Sequence, residues 1–324
     1  MTRDIIVIGA SAGGIEAITS MISTLPRELD ASIFVVVHTA AFHASLLPSI
    51  LNDRGPFPAS HAVHGEPIVA GHVYVAPPDN HMTLHDGSIR VVRGPKENGH
   101  RPAVDPLFRT AARAYGARVI GVVLSGSLDC GSAGLMAVKA AGGTAVVQHP
   151  NDALAADMPT NALRHVSVDH VAPLADLGPL LARLVATPVE GSAPPKSDPY
   201  SLPSRSSGIV CPECQGAMVE TEQDGLVLFR CHVGHRYSSA AMAAEQGDSL
   251  ESALWASVRA LEESAALAER LIGSAPNQLR ERFEEKAKTM RHYAHTVKTM
   301  LTGEHNLSRL DPSLAKEEET PASD

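Results

Sequence analysis

Ile5-Ile6-Val7-Ile8-Gly9-Ala10-Ser11-Ala12-Gly13-Gly14-Ile15 is the stretch on which the reading of this chain turns. Residues 5–8 are apolar without alternation, the pattern of a parallel strand buried on both faces. The small residues at 9–14 allow a tight turn, and Ile15, Ile18, Ile22 and Leu25 then recur at helical spacing. A hydroxyl at such a junction stands where the first unbonded N–H groups of the helix point. Ser11 can therefore attack a carbonyl while those donors hold the oxyanion. The plainer alternative is that Ser11 caps the helix. A nucleotide-binding turn does not fit. Gly9-x-x-x-Gly13-Gly14 is neither the dinucleotide fingerprint nor a Walker A loop, and no Gly-Lys-Ser/Thr follows.

Outward from this stretch, strand-like and helix-like segments alternate to about residue 185. Ser32 to His38 and Arg118 to Leu124 read as buried strands, with shorter ones at His72–Ala76, Ser88–Val92 and Gly143–Gln148. Pro106 to Tyr115 and Ser132 to Ala141 read as helices. The alternation predicts an α/β domain with a doubly wound, mostly parallel sheet at residues 1–185. A Pro/Ser/Gly-rich linker follows at 186–209, then a Cys/His module at 210–240. Two apolar stripes predict a helical hairpin at 248–303: Leu250, Leu254, Val258, Leu261, Ala265, Ala268 and Ile272, then Leu279, Phe283, Ala287, Met290, Ala294, Val297 and Leu301. The stripes read as mutual core, with self-association of the chain as the other use for them. An acidic, polar tail at 304–324 is expected to be disordered.

Composition narrows the function classes. A chain of 324 residues with 44% hydrophobic content can build more than one domain, and it holds no apolar run near the 18 residues of a membrane span. The N-terminus has neither a basic segment nor a cleavage site, which makes the cytoplasm the expected compartment. A net charge of −9 argues against general affinity for nucleic acid.

In an open α/β sheet, groups just past the carboxyl ends of the strands meet in space. Ser11 follows the first strand, His38 ends the second, and Asp129 follows Leu124-Ser125-Gly126-Ser127-Leu128. A serine needs a base, a histidine supplies one near neutral pH, and a carboxylate orients the imidazole. Individually, His38 also fits a hydrogen-bonded core histidine, and Asp129 a cap for the helix at 132. His43, His64, His81 and His100 read as loop histidines without metal-ligand spacing.

Cys211-Pro212-Glu213-Cys214 precedes Cys231-His232-Val233-Gly234-His235, giving C-x2-C-x16-C-x3-H. Two thiolates on one turn and two further ligands on another suit a closed tetrahedral site, so Cys211, Cys214, Cys231 and His235 are predicted to hold a structural zinc. His235 is preferred to His232, which adjoins Cys231 and points away. No cofactor for catalysis is implied.

The segment from Ile5 to about Leu184 resembles the catalytic domain of the CheB-type chemotaxis protein-glutamate methylesterases. The resemblance rests on Gly9-Ala10-Ser11-Ala12-Gly13-Gly14, Val36-Val37-His38, Gly71 to Asp79, His100-Arg101-Pro102-Ala103-Val104-Asp105-Pro106-Leu107-Phe108, Leu124-Ser125-Gly126, and Met158-Pro159 with Ala162. It implies Ser11 as nucleophile and His38 as base. It also implies a substrate of glutamate methyl esters on a chemoreceptor-like partner protein in chemotactic signal transduction, with glutamine deamidation by the same acyl chemistry. The oxyanion would be held by N–H groups of the turn at 12–14 and near Ser127. Arg101 and Asp105 are implied to face the site, with a surface ion pair as the alternative for Arg101. The family's triad aspartate falls, without a gap, on Cys130. Two readings follow: Asp129 supplies the carboxylate from the adjacent position, or the fold is kept by a non-catalytic binding or regulatory protein. Most members carry an N-terminal receiver domain, whereas this chain starts at the catalytic strand, so control by phosphorylation in cis is not expected. Family members with an appended Cys-Pro-x-Cys…Cys-x-Val-Gly-His module are familiar. The module and helical hairpin stand here as a regulatory or docking element.

Overall fold

In β1 (Ile5–Ala10), Ile5 and Val7 enter one apolar core while Ile6 and Ile8 enter another. The strand is apolar throughout because both of its faces are covered. The computed structural model that shows this describes residues 2–39, 45–189, 204–223 and 225–302. His43 and the tail at 304–324 lie outside the described residues, as does most of the expected linker.

β1 is central in a seven-stranded parallel sheet of order β3-β4-β2-β1-β7-β8-β9. Its other strands are β2 (Ser32–Val37), β3 (Ala59–His61), β4 (Val73–Val75), β7 (Val119–Val123), β8 (Thr144–Gln148) and β9 (His170–Ala172). One face is packed by α1 (Gly14–Ser23), α2 (Leu47–Arg54) and α6 (Leu174–Ala186). The other is packed by α3 (Val104–Tyr115), α4 (Ser132–Ala140) and α5 (Asp157–His165). β5 (His81–His85) and β6 (Ser88–Val92) form a separate antiparallel hairpin against α3. The α/β, doubly wound class predicted from sequence is the class found.

The Cys/His module is a four-stranded antiparallel sheet of β10 (Arg205–Val210), β11 (Ala217–Gln223), β12 (Leu226–Cys231) and β13 (Arg236–Ser238). It begins inside the segment read as linker. The polar run at 205–208 gains strand structure as an exposed edge paired to β11, which composition alone does not signal. Leu226 and Leu228 of β12 are buried in the same core as α3 and α4, so the module is packed onto the α/β body.

Ser238 accepts from Ala241 N–H at the start of α7 (Ser239–Ile272), so that helix follows the module without a gap. The chain divides into two compact units, Met1–Met242 and Ala243–Asp324, with the division inside α7. In the second unit α8 (Asn277–Thr302) follows a short turn, and Arg291 makes a bidentate pair with Glu269 across the two helices. Val258, Ala265, Ala268, Ala287 and Ala294 are buried there, whereas Leu250 and Leu279 at the outer ends of the predicted stripes are exposed.

Candidate active site

Ala10 and Val37 are partners in the parallel register of β1 and β2, so the next residues, Ser11 and His38, leave neighbouring strands at one edge of the sheet. Neighbouring strands lie about 5 Å apart, which makes the two residues spatial neighbours despite their separation along the chain. The order of strands reverses between β1 and β7, and the crevice at such a switch point is where open α/β sheets bind ligands. Two backbone bonds pin the edge: His38 N–H donates to Ala10 C=O at 3.2 Å, and Ser11 N–H donates to Ser125 C=O at 2.9 Å.

The turn after Ser11 is built for its path. Gly13 has φ of 72°, a left-handed conformation open to glycine, and Gly14 N–H donates to Ser11 C=O at 2.9 Å. The N–H groups of Ala12, Gly13 and Ser127 have no acceptor among the described residues. Ser125 ties the loops together. Its hydroxyl donates to Ala12 C=O at 2.7 Å and accepts from Ala155 N–H at 2.9 Å, while its own N–H donates to Gln148 Oε1 at 3.0 Å. Gly126 must be glycine for another reason. A Cβ there would stand 2.9 Å from Ser11 Cβ and 2.1 Å from Met158 Sδ.

Ser11 and His38 line one cleft of about 430 Å³, together with Thr39, Asp79, Lys96, Gly99, His100 and Arg101. The His100 ring stacks on His38 with centroids 3.7 Å apart. Burial, reinforced by the charge of His100, pushes the His38 imidazole well below its ordinary range, so it is a neutral base at pH 7. Neither ring nitrogen of His38 has a hydrogen-bond partner among the described residues, Ser11 Oγ included.

Neither candidate for the triad acid reaches His38. Asp129 is buried, but its Oδ1 accepts from Ser238 Oγ of the Cys/His module at 2.5 Å. Cys130 turns into the core, where its Sγ lies 3.8 Å from Asp105 Oδ2 and where burial and that carboxylate push the thiol pKa well up. The physical reason is that adjacent loop residues point apart, and each finds a polar partner away from the cleft.

Arg101 lines the cleft and is also ion-paired, donating to Asp79 at 2.8 and 2.5 Å and to Gly94 C=O. Asp105 does not line the cleft. Its Oδ1 accepts from Gly131 and Gly134 N–H at 3.1 and 2.7 Å, holding the start of α4, and its Oδ2 accepts from Asn98. His81 is a buried strand residue rather than a loop histidine, its Nε2–H donating to Pro95 C=O while Nδ1 accepts from Ala103 N–H. His64 is exposed and bonds Val91 C=O. Sequence reasoning missed His100, Asn98 and Ser238. Only His100 had a signal, standing at the head of the motif quoted from His100 to Phe108.

In the module, Cys211, Cys214, Cys231 and His235 bring their ligand atoms within 4.8 Å of one another. Cys214 and Cys231 sulfurs are 3.6 Å apart, and His235 Nδ1 lies 3.6 and 3.5 Å from the sulfurs of Cys211 and Cys231. Ligands on a tetrahedral zinc with bonds near 2.3 Å stand about 3.8 Å apart, so the donor set fits that ion. His232 is exposed and outside the cluster.

Residues 6–181, more than half of the chain, match the CheB methylesterase family. A putative protein-glutamate methylesterase/protein-glutamine glutaminase of Leptospira interrogans is 38% identical over 185 residues, covering 57% of this chain and 96% of that protein. A protein-glutamate methylesterase/protein-glutamine glutaminase of Ralstonia nicotianae is 37% identical over 190 residues, covering 57% of this chain. The present chain spans 50% of that relative's length. Among solved structures, the Thermotoga maritima CheB methylesterase catalytic domain matches over its full length and 57% of this chain, with a TM-score of 0.55 and 30% identity.

Proposed function

The chain belongs to the CheB methylesterase family, and on that premise we propose that it is a serine hydrolase removing methyl esters from glutamate side chains of a chemoreceptor-like partner protein. Ser11 Oγ attacks the ester carbonyl as His38 takes its proton. The N–H groups of Ala12, Gly13 and Ser127 hold the resulting oxyanion. Collapse of the tetrahedral intermediate expels methanol, which receives the proton from His38. Water, deprotonated in turn by His38, then attacks the acyl-enzyme and releases the glutamate carboxylate and free Ser11. A glutamine side chain entering the same cleft loses ammonia by the same steps. No cofactor takes part. Zinc held by Cys211, Cys214, Cys231 and His235 would serve folding alone, because all four positions are filled by protein.

The observation that carries this reading is the register of β1 and β2, which delivers a hydroxyl and a neutral imidazole to one cleft. The test is a fluorophosphonate probe followed by peptide mass spectrometry, with methanol release from a methylated receptor segment alongside. An adduct at Ser11, absent in His38→Ala, is expected. The second reading, a binding protein on the same fold, is favoured by the occupied carboxylate of Asp129 and the protonated thiol of Cys130. An unlabelled Ser11 in the wild type would select it.

A further inference from the structure

β13 runs alongside the segment that walls the cleft. Asn98 N–H donates to Arg236 C=O at 2.8 Å, Arg236 N–H donates to Lys96 C=O at 3.4 Å, and Ser238 N–H donates to Asn98 Oδ1 at 2.8 Å. Side chains reinforce the contact. Lys96 Nζ pairs with Glu213 of the first cysteine turn at 3.0 Å, and the Arg236 guanidinium lies 4.0 Å from Glu97, which is itself held bidentately by Arg109. Ser238 Oγ reaches across to Asp129. Lys96, Gly99, His100 and Arg101 of this segment line the cleft, and His100 is the residue stacked on His38.

We infer that the Cys/His module is a brace for the cleft, in which Arg236 and Ser238 are positioning residues that hold segment 96–101, and with it His100, against His38. Three facts favour a brace over a chance contact. The seam is polar, with Glu97, Asn98, Asp129 and Ser238 all buried. It closes on itself: Asn98 also donates to Asp105, which holds the start of α4 directly after the loop of Asp129. Finally, Arg236 directly follows His235, so the turn that gathers the metal ligands is the one that launches β13. Asn98 itself has φ of 52°, a conformation that its hydrogen bonds to the module and to Asp105 keep in place.

The inference rests on the cleft described above but not on its chemistry, and its test uses the full chain without turnover. Hydrogen exchange and the imidazole titration of His38 by NMR are compared between wild type and the double variant Asn98→Gly with Arg236→Gln, which removes the Oδ1 that receives Ser238 N–H and the guanidinium beside Glu97 while keeping a residue that tolerates φ of 52°. Exchange in 96–101 should rise about tenfold or more while β1 and β2 keep their protection. The His38 titration should move up toward the ordinary imidazole range as His100 leaves it. Unchanged protection at 96–101 overturns the brace. Should the double variant fail to fold, Asn98→Gly alone carries the same two readouts. A wild type that never takes the fluorophosphonate would sink the hydrolase reading and leave this one standing.

Discussion

The ring of His100 lies over that of His38, with centroids 3.7 Å apart and planes inclined by 21°. Two imidazoles this close cannot both be charged without mutual repulsion, and His100 also keeps solvent off His38. Both effects favour the neutral ring of His38, the form that can accept the Ser11 proton. His100→Ala removes both. The His38 pKa should rise, so the fraction of neutral base at a given acidic pH should fall. The acid limb of the Ser11 labelling profile therefore moves to higher pH. Labelling rates measured between about pH 4 and 8 check this. A limb that stays in place would mean that burial by other groups sets the basicity of His38.

Gly126 lets the loop after β7 lie against Ser11. In Gly126→Ala the new methyl meets the buried Met158 sulfur and Ser11 Cβ. Relief requires the loop to move, at a cost of about 1–3 kcal/mol in stability by analogy with overpacked cores. Ser11 N–H is bonded to Ser125 next door, so the shift also misplaces the hydroxyl. Denaturant titration should show the stability loss. Ser11 labelling should slow in the fraction that remains folded.

Much of this fold was legible because buried parallel strands announce themselves. Ile5–Ile8, Ile33–Val37 and Val119–Leu124 are apolar runs with glycine or polar residues at their ends, and Ser11 and His38 stand directly at such ends. The short strands β3 and β9 were not legible, since Ala59-Ser60-His61 and His170-Val171-Ala172 lack the apolar run that marked β4, which is equally short. The four residues that the cysteine spacing singled out do lie together in one cluster. What could not be read was the partner of each polar loop residue. Asp129 and Cys130 are adjacent, and only tertiary packing decides that one meets Ser238, 109 residues away, and the other meets Asp105. Nothing in the sequence of the module tells which surface of the α/β body it covers.

Cys130→Asp restores the carboxylate that the family pattern places at this position, but the structure sets a cost. The new carboxyl would lie beside Asp105, which is fully buried and already has a pKa raised to about 6 by burial and by Glu97. Two buried carboxyls in contact cannot both ionise, so the pair holds a proton in the folded state. Folded-state pKa values raised above the unfolded value of about 4 stabilise the fold below that pH, and this contribution is lost as pH rises through them. Relative to wild type, Cys130→Asp should therefore be least stable above neutrality, by about 2–4 kcal/mol. Urea titrations at acidic and alkaline pH measure this. A pH-independent difference would show that the new side chain has turned away from Asp105.

The two histidines of the module separate a metal role from a surface one. His235 lies among Cys211, Cys214 and Cys231, whereas His232 is exposed beside Gly216. The wild-type chain is expected to bind one equivalent of zinc. His235→Ala should weaken that binding severely, and His232→Ala should leave it near the wild-type value. Zinc binding contributes roughly 10–16 kcal/mol in isolated zinc modules, so loss of one ligand should cost at least about 3 kcal/mol of stability here. The damage should reach beyond the module, because Leu226 and Leu228 belong to the core that also contains Val104, Leu107 and Cys130. Chelation should therefore expose apolar surface that binds a hydrophobic dye and should lower the melting temperature of the first unit. If His232→Ala and His235→Ala lose zinc equally, the ligand set is wrong. If chelation leaves dye binding and melting unchanged, the module folds without its metal.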